Sequence, residues 1–196
     1  MFTGIIEMLG TVVAVEDAGT NRHFTIRAAL APELKIDQSV AHDGVCLTVV
    51  AVDAAARTYR VTAIQETLFR TALHQWAPGT EVNLERCMPA TGRFDGHIVQ
   101  GHVDAPGTLR SVLDRQGSWR LEIGHEAGAG RITVEKGSIT LNGVSLTVVD
   151  SAPDFFSVEL IPYTWEHTNL HHLRPGDAVN LEFDIVGKYV ARLLGK

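Results

Sequence analysis

The stretch "DGVCLTVVAVD" beginning at Asp43 returns, little changed, as "NGVSLTVVDSA" beginning at Asn142. Two other anchors recur as well. "TGIIEMLGT" from Thr3 matches "QGHVDAPGT" from Gln100, and "PGTEVNLE" from Pro78 matches "PGDAVNLE" from Pro175, both with a shift of 97 residues. The central stretch is shifted by 99, and "ETLFRTAL" to "YTWEHTNL" returns to 97, so a two-residue insertion in one loop is compensated in another. Self-similarity that keeps its phase over this length means one structural unit used twice. The copies run over about 1–86 and 98–183, joined by "CMPATGRFDG", where Pro89, Gly92 and Gly96 break periodicity. With the linker assigned, the expected domains are 1–97 and 98–184, followed by a segment 185–196.

Within each copy the signals are mostly β. "TVVAVED", "HFTIRA", "SVAHDGVCLTVVAVD", "RTYRVTAI" and "TEVNLER" are short, rich in Val, Ile, Thr and Tyr, and bounded by Gly, Asp or Pro. Five or six such strands per copy point to a small barrel. Asp43-Gly44 and Asn142-Gly143 can supply the positive φ angles of a two-residue type I′ turn, so each copy of the motif reads as a hairpin turn with its outgoing strand. One helix per copy is expected, in "QETLFRTALHQW" and "YTWEHTNLHHL", plugging or crossing a barrel end. In "DIVGKYVARLLGK", Ile185, Val186, Tyr189, Val190, Leu193 and Leu194 recur at helical spacing. A helix of about 12 residues is marginal alone. It must pack on its own barrel or on other copies of the chain, and the pattern allows either.

Seventeen Lys and Arg against 23 Asp and Glu give a net charge of −6, and no basic run interrupts the chain. Nucleic acid and anionic membrane are therefore poor partners, and a small ligand fits better. No apolar run reaches the length of a bilayer span, and "MFTGIIEMLG" lacks the basic start of a signal peptide, so a cytoplasmic protein is expected. Two cysteines, Cys46 and Cys87, read as free thiols in a reducing compartment.

Alternation along the strand after Gly44 puts Val45, Leu47 and Val49 on one face and Cys46, Thr48 and Val50 on the other. The second copy places Ser145 and Thr147 on the matching outer face. That face is either merely wetted, with Cys46 a small hydrophobe, or a pocket wall presenting a thiol or hydroxyl beside a Thr. The histidines do not form a metal set. His97 and His102 are five apart and face opposite ways on a strand, and His167, His171 and His172 have no Cys or carboxylate cluster to complete a tetrahedral site. Asp184 suits a helix N-cap, and Lys136 suits a solvated turn.

"MFTGIIE", the Gly96–Asp104 run "GHIVQGHVD", the "GVCLTV"/"GVSLTV" pair, "LIPYT" and "VNLEFD" together resemble the α-chain riboflavin synthase family over essentially all 196 residues. The resemblance implies a mostly β fold of two tandem homologous six-stranded Greek-key barrels with a C-terminal α-helix, forming a homotrimer through that helix. It implies a transferase that dismutates two 6,7-dimethyl-8-ribityllumazine molecules per active site, moving a four-carbon unit to give riboflavin and 5-amino-6-(ribitylamino)uracil. No metal or other cofactor is expected. The rival within the same fold is a non-catalytic lumazine-binding antenna protein, and lumazine synthase is raised as a partner.

Carried onto this chain, the resemblance implies an N-barrel pocket of Gly4, Ile5 and Ile6, then Cys46, Leu47 and Thr48, then Thr62, Ala63, Ile64, Gln65, Glu66 and Thr67. The C-barrel pocket would use Gly101, His102 and Val103, then Lys136, then Ser145, Leu146 and Thr147, then Glu159, Leu160, Ile161, Pro162, Tyr163 and Thr164. The chemistry needs a proton removed from the C7 methyl of one lumazine and addition at C7 of the other. The expected catalytic groups are His102, Ser145 and Thr147 with Asp184 as acid/base or water-orienting carboxylate on the C-barrel side. Cys46 would act on the N-barrel side, with Phe2 closing over the pair.

Overall fold

The computed structural model describes residues 1–128 and 130–195. The first copy supplies β1 (Met8–Ala18), β2 (Asn21–Arg27), β3 (Ser39–His42), β4 (Val45–Asp53), β5 (Thr58–Ala63), α1 (Gln65–Arg70) and β6 (Glu81–Arg86). The second supplies β7 (Ala105–Asp114), β8 (Trp119–Gly124), β9 (Ser138–Leu141), β10 (Val144–Ser151), β11 (Phe155–Leu160), α2 (Pro162–His167) and β12 (Ala178–Phe183), and α3 (Ile185–Leu193) follows. The strands close into two antiparallel barrels, β1-β2-β5-β4-β3-β6 and, in the same order, β7-β8-β11-β10-β9-β12. The compensated insertion lies in the β8–β9 and β10–β11 connections, at 125–137 and 152–154, on the surface where loops absorb length changes.

Each barrel is filled by the apolar side of its alternating strands. Val12, Phe24, Val49, Val61 and Leu84 are buried in the first, and Leu109, Leu121, Val148, Val158 and Leu181 take corresponding places in the second. Strong curvature is needed to close six strands, and register shifts supply it at repeat-related points: Val12/Ala14 in β1 and Leu109/Ser111 in β7, Val49/Ala51 in β4 and Val148/Ser151 in β10.

The helix expected over "QETLFRTALHQW" is broken. Helix α1 stops at Arg70, Thr71 is extended (φ −133°, ψ 165°), and a 3-10 turn follows at Ala72–Gln75. The Thr71 hydroxyl donates to Thr67 O (2.6 Å) and accepts from Leu73 N (3.3 Å), taking over bonds that a continuous helix would make with its backbone. Thr168 repeats the donation, to Thr164 O at 2.7 Å. The barrel end is therefore plugged by the 3-10 turn, through Leu73 and Trp76, while α1 buries none of its residues.

The two barrels meet at their hairpin turns. Asp43 and Gly44 have φ of 46° and 79°, Asn142 and Gly143 of 45° and 80°, as type I′ geometry requires. The turns touch: a Cβ on Gly44 would stand 2.8 Å from Gly143 N. Around them Asn83 Nδ2 donates to Asn142 O (2.9 Å), and its repeat partner Asn180 donates through Nδ2 to Asp43 O (2.9 Å), so the junction has approximate twofold symmetry.

Candidate functional site

Beyond each turn, the first residue pair of the outgoing strand meets a chain segment contributed by the other barrel. Cys46 N donates to Gly101 O (2.9 Å), and Ser145 N donates to Gly4 O (2.8 Å). Gly4 and Gly101 both have φ of 79°, and neither tolerates a side chain: an added Cβ would stand 2.6 Å from Ser145 Cβ in the first case and 2.7 Å from Cys46 Cβ in the second. Downstream, Ile6 packs on the second barrel's core and Val103 on the first barrel's core.

This exchange corrects the expected grouping. Gly4, Ile5 and Ile6 belong with Ser145, and Gly101, His102 and Val103 belong with Cys46. The approximate twofold axis at the turns carries each copy's leading segment across to the other barrel. It is held there by an antiparallel bridge between Phe2 and Val99 (Phe2 N to Val99 O, 2.7 Å).

The remaining expected residues fall as follows. Leu47 is buried in the first barrel's core, and its counterpart Leu146 is half-buried against the second. Thr48 and Thr147 are exposed on the outer face beside Cys46 and Ser145. Thr62 bonds the ring Nδ1 of His23 (2.8 Å), Ala63 is buried, and Ile64, Gln65 and Glu66 are exposed, with Glu66 ion-paired to Arg70; Thr67 is half-buried. In the second barrel Glu159 accepts from Ser118, Leu160 is buried, and Ile161, Pro162 and Tyr163 are exposed. Thr164 is half-buried, and the Tyr163 ring stacks on His167 at 4.0 Å. Lys136 is exposed in a left-handed turn (φ 64°).

Three catalytic expectations need correction or completion. Phe2 is fully buried with Ala41 and Val99 against Cys46 and Cys87, so it lies beneath Cys46 instead of closing over it. With its backbone bridged to Val99 and its ring fully buried, Phe2 is part of the core beneath the strand. His102 is exposed and lies on the Cys46 side, because it follows Gly101 across the junction. The histidine on Ser145 is His97, whose Nδ1 lies 2.7 Å from Ser145 Oγ and whose Nε2 lies 3.1 Å from Thr140 Oγ1.

Burial pushes the His97 imidazole below its usual range, partly opposed by the Asp184 carboxylate nearby, so a neutral ring faces the Ser145 hydroxyl. Asp184 itself caps α3, accepting from Val186 N at 2.9 Å. Burial raises the Cys46 thiol above its usual range. Among the described residues no group of His, Cys, Asp and Glu is placed to hold a metal, and no helix is long and apolar enough to cross a membrane.

Sequence reasoning missed His97 because a five-residue spacing shows only that it and His102 face apart. It also missed Glu85 and Glu182. In both copies of "VNLE" the Val and Leu enter the barrel core, while the Asn ties the barrels together and the Glu is buried beneath the leading segment of its copy. An identical motif in which Asn and Glu alternate with apolar Val and Leu was the available signal.

Comparison with known proteins agrees with the duplication of the domain. A family model described as the lumazine binding domain matches residues 3–87 and again 100–184. The riboflavin synthase of Actinobacillus pleuropneumoniae is 41% identical over 197 residues, covering 100% of this chain and 91% of the relative. That of Mycobacterium tuberculosis (strain ATCC 25618 / H37Rv) is 42% identical over 198 residues, covering 99% and 98%. Among solved structures, LumP complexed with riboflavin superposes with a TM-score of 0.84 at 21% identity, over 94% of this chain and all of LumP. LumP complexed with 6,7-dimethyl-8-(1'-D-ribityl) lumazine gives 0.83 at 19%, over 93% and 98%. At those identities the LumP likeness is one of fold.

Proposed function

The chain belongs to the riboflavin synthase family, with the lumazine binding domain present twice, and from that premise we propose how its two half-sites divide the reaction. Two molecules of 6,7-dimethyl-8-ribityllumazine dismutate by transfer of a four-carbon unit, yielding riboflavin and 5-amino-6-(ribitylamino)uracil. The products contain all the atoms of the two substrates, so the overall change consumes no oxidant and no water. We class it as a transferase of the cytoplasm.

One lumazine lies on the Cys46 half-site, bounded by Gly101–Val103, Leu47, Thr48 and Thr62–Thr67. The other lies on the Ser145 half-site, bounded by Gly4–Ile6, Leu146, Thr147 and Glu159–Thr164. Backbone groups on these edges orient the pteridine, and the hydroxyls and Lys136 reach ribityl oxygens, which supplies catalysis largely through proximity. The lumazine ring system delocalises the carbanion left when its C7 methyl loses a proton. His97, neutral and bonded to Ser145, is suited to carry a proton to and from that hydroxyl, with Asp184 stabilising the imidazolium that forms. Cys46, held largely as a thiol, lies against the second substrate, beside His102. The observation that carries this reading is the paired exchange, Gly4 onto Ser145 and Gly101 onto Cys46: one pocket built twice with a different reactive atom in each.

The exposed Val186, Tyr189, Val190 and Leu193 on α3 support a homotrimer assembled through 185–196. Lys196, at the end of that segment, lies outside the described residues. A trimer would let the N-barrel pocket of one copy face the C-barrel pocket of the next. Incubation with the lumazine tests the assignment. Riboflavin is expected, whereas stoichiometric binding with lasting lumazine fluorescence and no riboflavin would mean an antenna protein.

A further inference from the structure

Strands β6 and β12 each carry, one residue before their end, a buried carboxylate with no cation among its hydrogen-bond partners in the described residues. Glu85 Oε1 accepts from Thr3 N (2.7 Å) and Thr3 Oγ1 (2.8 Å), while its Oε2 accepts from Gly4 N (2.9 Å). Glu182 Oε1 accepts from Gln100 N (2.7 Å), and its Oε2 accepts from Gly101 N and His102 N, both at 2.9 Å. Glu85 and Glu182 are only 5% and 3% exposed, and each spends both oxygens on the backbone of one short segment. Burying a carboxylate is costly, and backbone N–H donors offset the cost only while the segment keeps its shape. Burial holds both acids above the usual carboxylate range, opposed by these same N–H groups and, at Glu182, by the charge of nearby Lys188.

The segments held are those that cross the junction. Glu85 belongs to the first barrel, yet the Gly4 it holds receives Ser145 of the second; Glu182 belongs to the second, yet its Gly101 receives Cys46 of the first. We propose that Glu85 and Glu182 are positioning residues for the dismutation, each fixing a pocket edge of the opposite barrel. Glu182 sets the Gly101–Val103 edge of the Cys46 pocket, and Glu85 sets the Gly4–Ile6 edge of the Ser145 pocket. The proposal rests on the reading that these edges hold lumazine. Its consequence is that damage in one barrel's "VNLE" strand is felt in the other barrel's pocket. In both variants Glu→Gln puts an amide donor against backbone donors, which disturbs the edge without changing the side chain's size.

Cys46 reports on its own pocket. The rate of Cys46 carbamidomethylation by iodoacetamide, followed by peptide mapping so that Cys87 is counted separately, is measured against riboflavin concentration. Riboflavin should protect Cys46 in the wild-type protein. E182Q should raise the concentration for half-protection about tenfold or more, the loss of a charge-assisted bond, while E85Q should leave it within about twofold. E85Q should nonetheless lower kcat, because the Ser145 pocket is needed for turnover. Equal shifts in both variants, or a larger shift in E85Q, would overturn the crossed assignment. If E182Q does not fold, E182D, which keeps the charge but withdraws it by one methylene, should shift half-protection in the same direction, and an unchanged value would overturn the proposal. Absence of protection in the wild-type protein would instead sink the Cys46 pocket itself, and the proposal with it, before any variant is compared.

Discussion

The chemical difference between the two repeats is concentrated in a few atoms. Ser145 Oγ has a neutral imidazole 2.7 Å away, while Cys46 is a thiol whose ionisation is opposed by burial and, among smaller effects, by the nearby Glu182. If His97 and Ser145 act as one unit, their removals should not add. We expect S145A and H97A each to lower kcat by about 10²-fold or more, and the double variant to be little worse than either, in steady-state assays with the lumazine. Independent, multiplicative losses would separate the two residues. Asp43 bears on stability instead. It is buried at the inter-barrel turn, where desolvation raises it to about 7 despite hydrogen bonds from Asn83 and Asn169. The folded form therefore holds a proton that the unfolded form, at 3.8, has lost, so its contribution to stability falls as pH rises from about 4 through 7. The second copy uses neutral Asn142 at this place, and D43N should raise stability at pH 8 by about 2 kcal/mol but little at pH 4, read from urea midpoints at the two pH values.

Strands and turns were legible in the sequence wherever the cause is local. Alternation put Val45, Leu47 and Val49 inside and left Cys46 partly and Thr48 openly outside, because a strand has a period of two. Asp-Gly and Asn-Gly marked the turns, because few other residue pairs adopt their φ angles. The break at Thr71 was hidden, since helical periodicity does not reveal a hydroxyl that replaces backbone bonds. One barrel element departs from its repeat partner in a way that can be measured. His42 on β3 is buried, its Nε2 2.7 Å from Tyr59 OH on β5 and its Nδ1 3.0 Å from Val40 O, whereas the second barrel has Leu141 and Phe156 at these places. Burial lowers His42 to about 4 from 6.5, so stability is complete above pH 6.5 and is lost as pH falls towards 4. Y59F or H42L alone should cost about 1–3 kcal/mol at pH 7 by orphaning the partner. The H42L/Y59F pair should recover much of that and flatten the acid limb of the stability profile; a double variant as unstable as the sum of the singles would contradict this.

At the scale of the molecule, the duplication was plain in the sequence but the exchange of segments was not. A chain whose halves match can pair each leading segment with its own barrel or with the other, and the matching residues satisfy both. The Phe2–Val99 bridge, the carbonyls of Gly4 and Gly101, which link residues 4 with 145 and 46 with 101, and the packing of Ile6 and Val103 on opposite barrels distinguish them. The apolar face of α3 leads to a further whole-molecule expectation. Sedimentation at micromolar concentration should show a trimer for the wild-type chain and dissociation for L193E, since burying a charged group in an apolar contact is unfavourable. Two half-sites built alike would consume the same molecule twice, which fixes the stoichiometry. Purified protein given 6,7-dimethyl-8-ribityllumazine should form one riboflavin for every two lumazines consumed, with an equal amount of 5-amino-6-(ribitylamino)uracil. Lumazine retained one for one without riboflavin, or riboflavin formed without the uracil product, would contradict it.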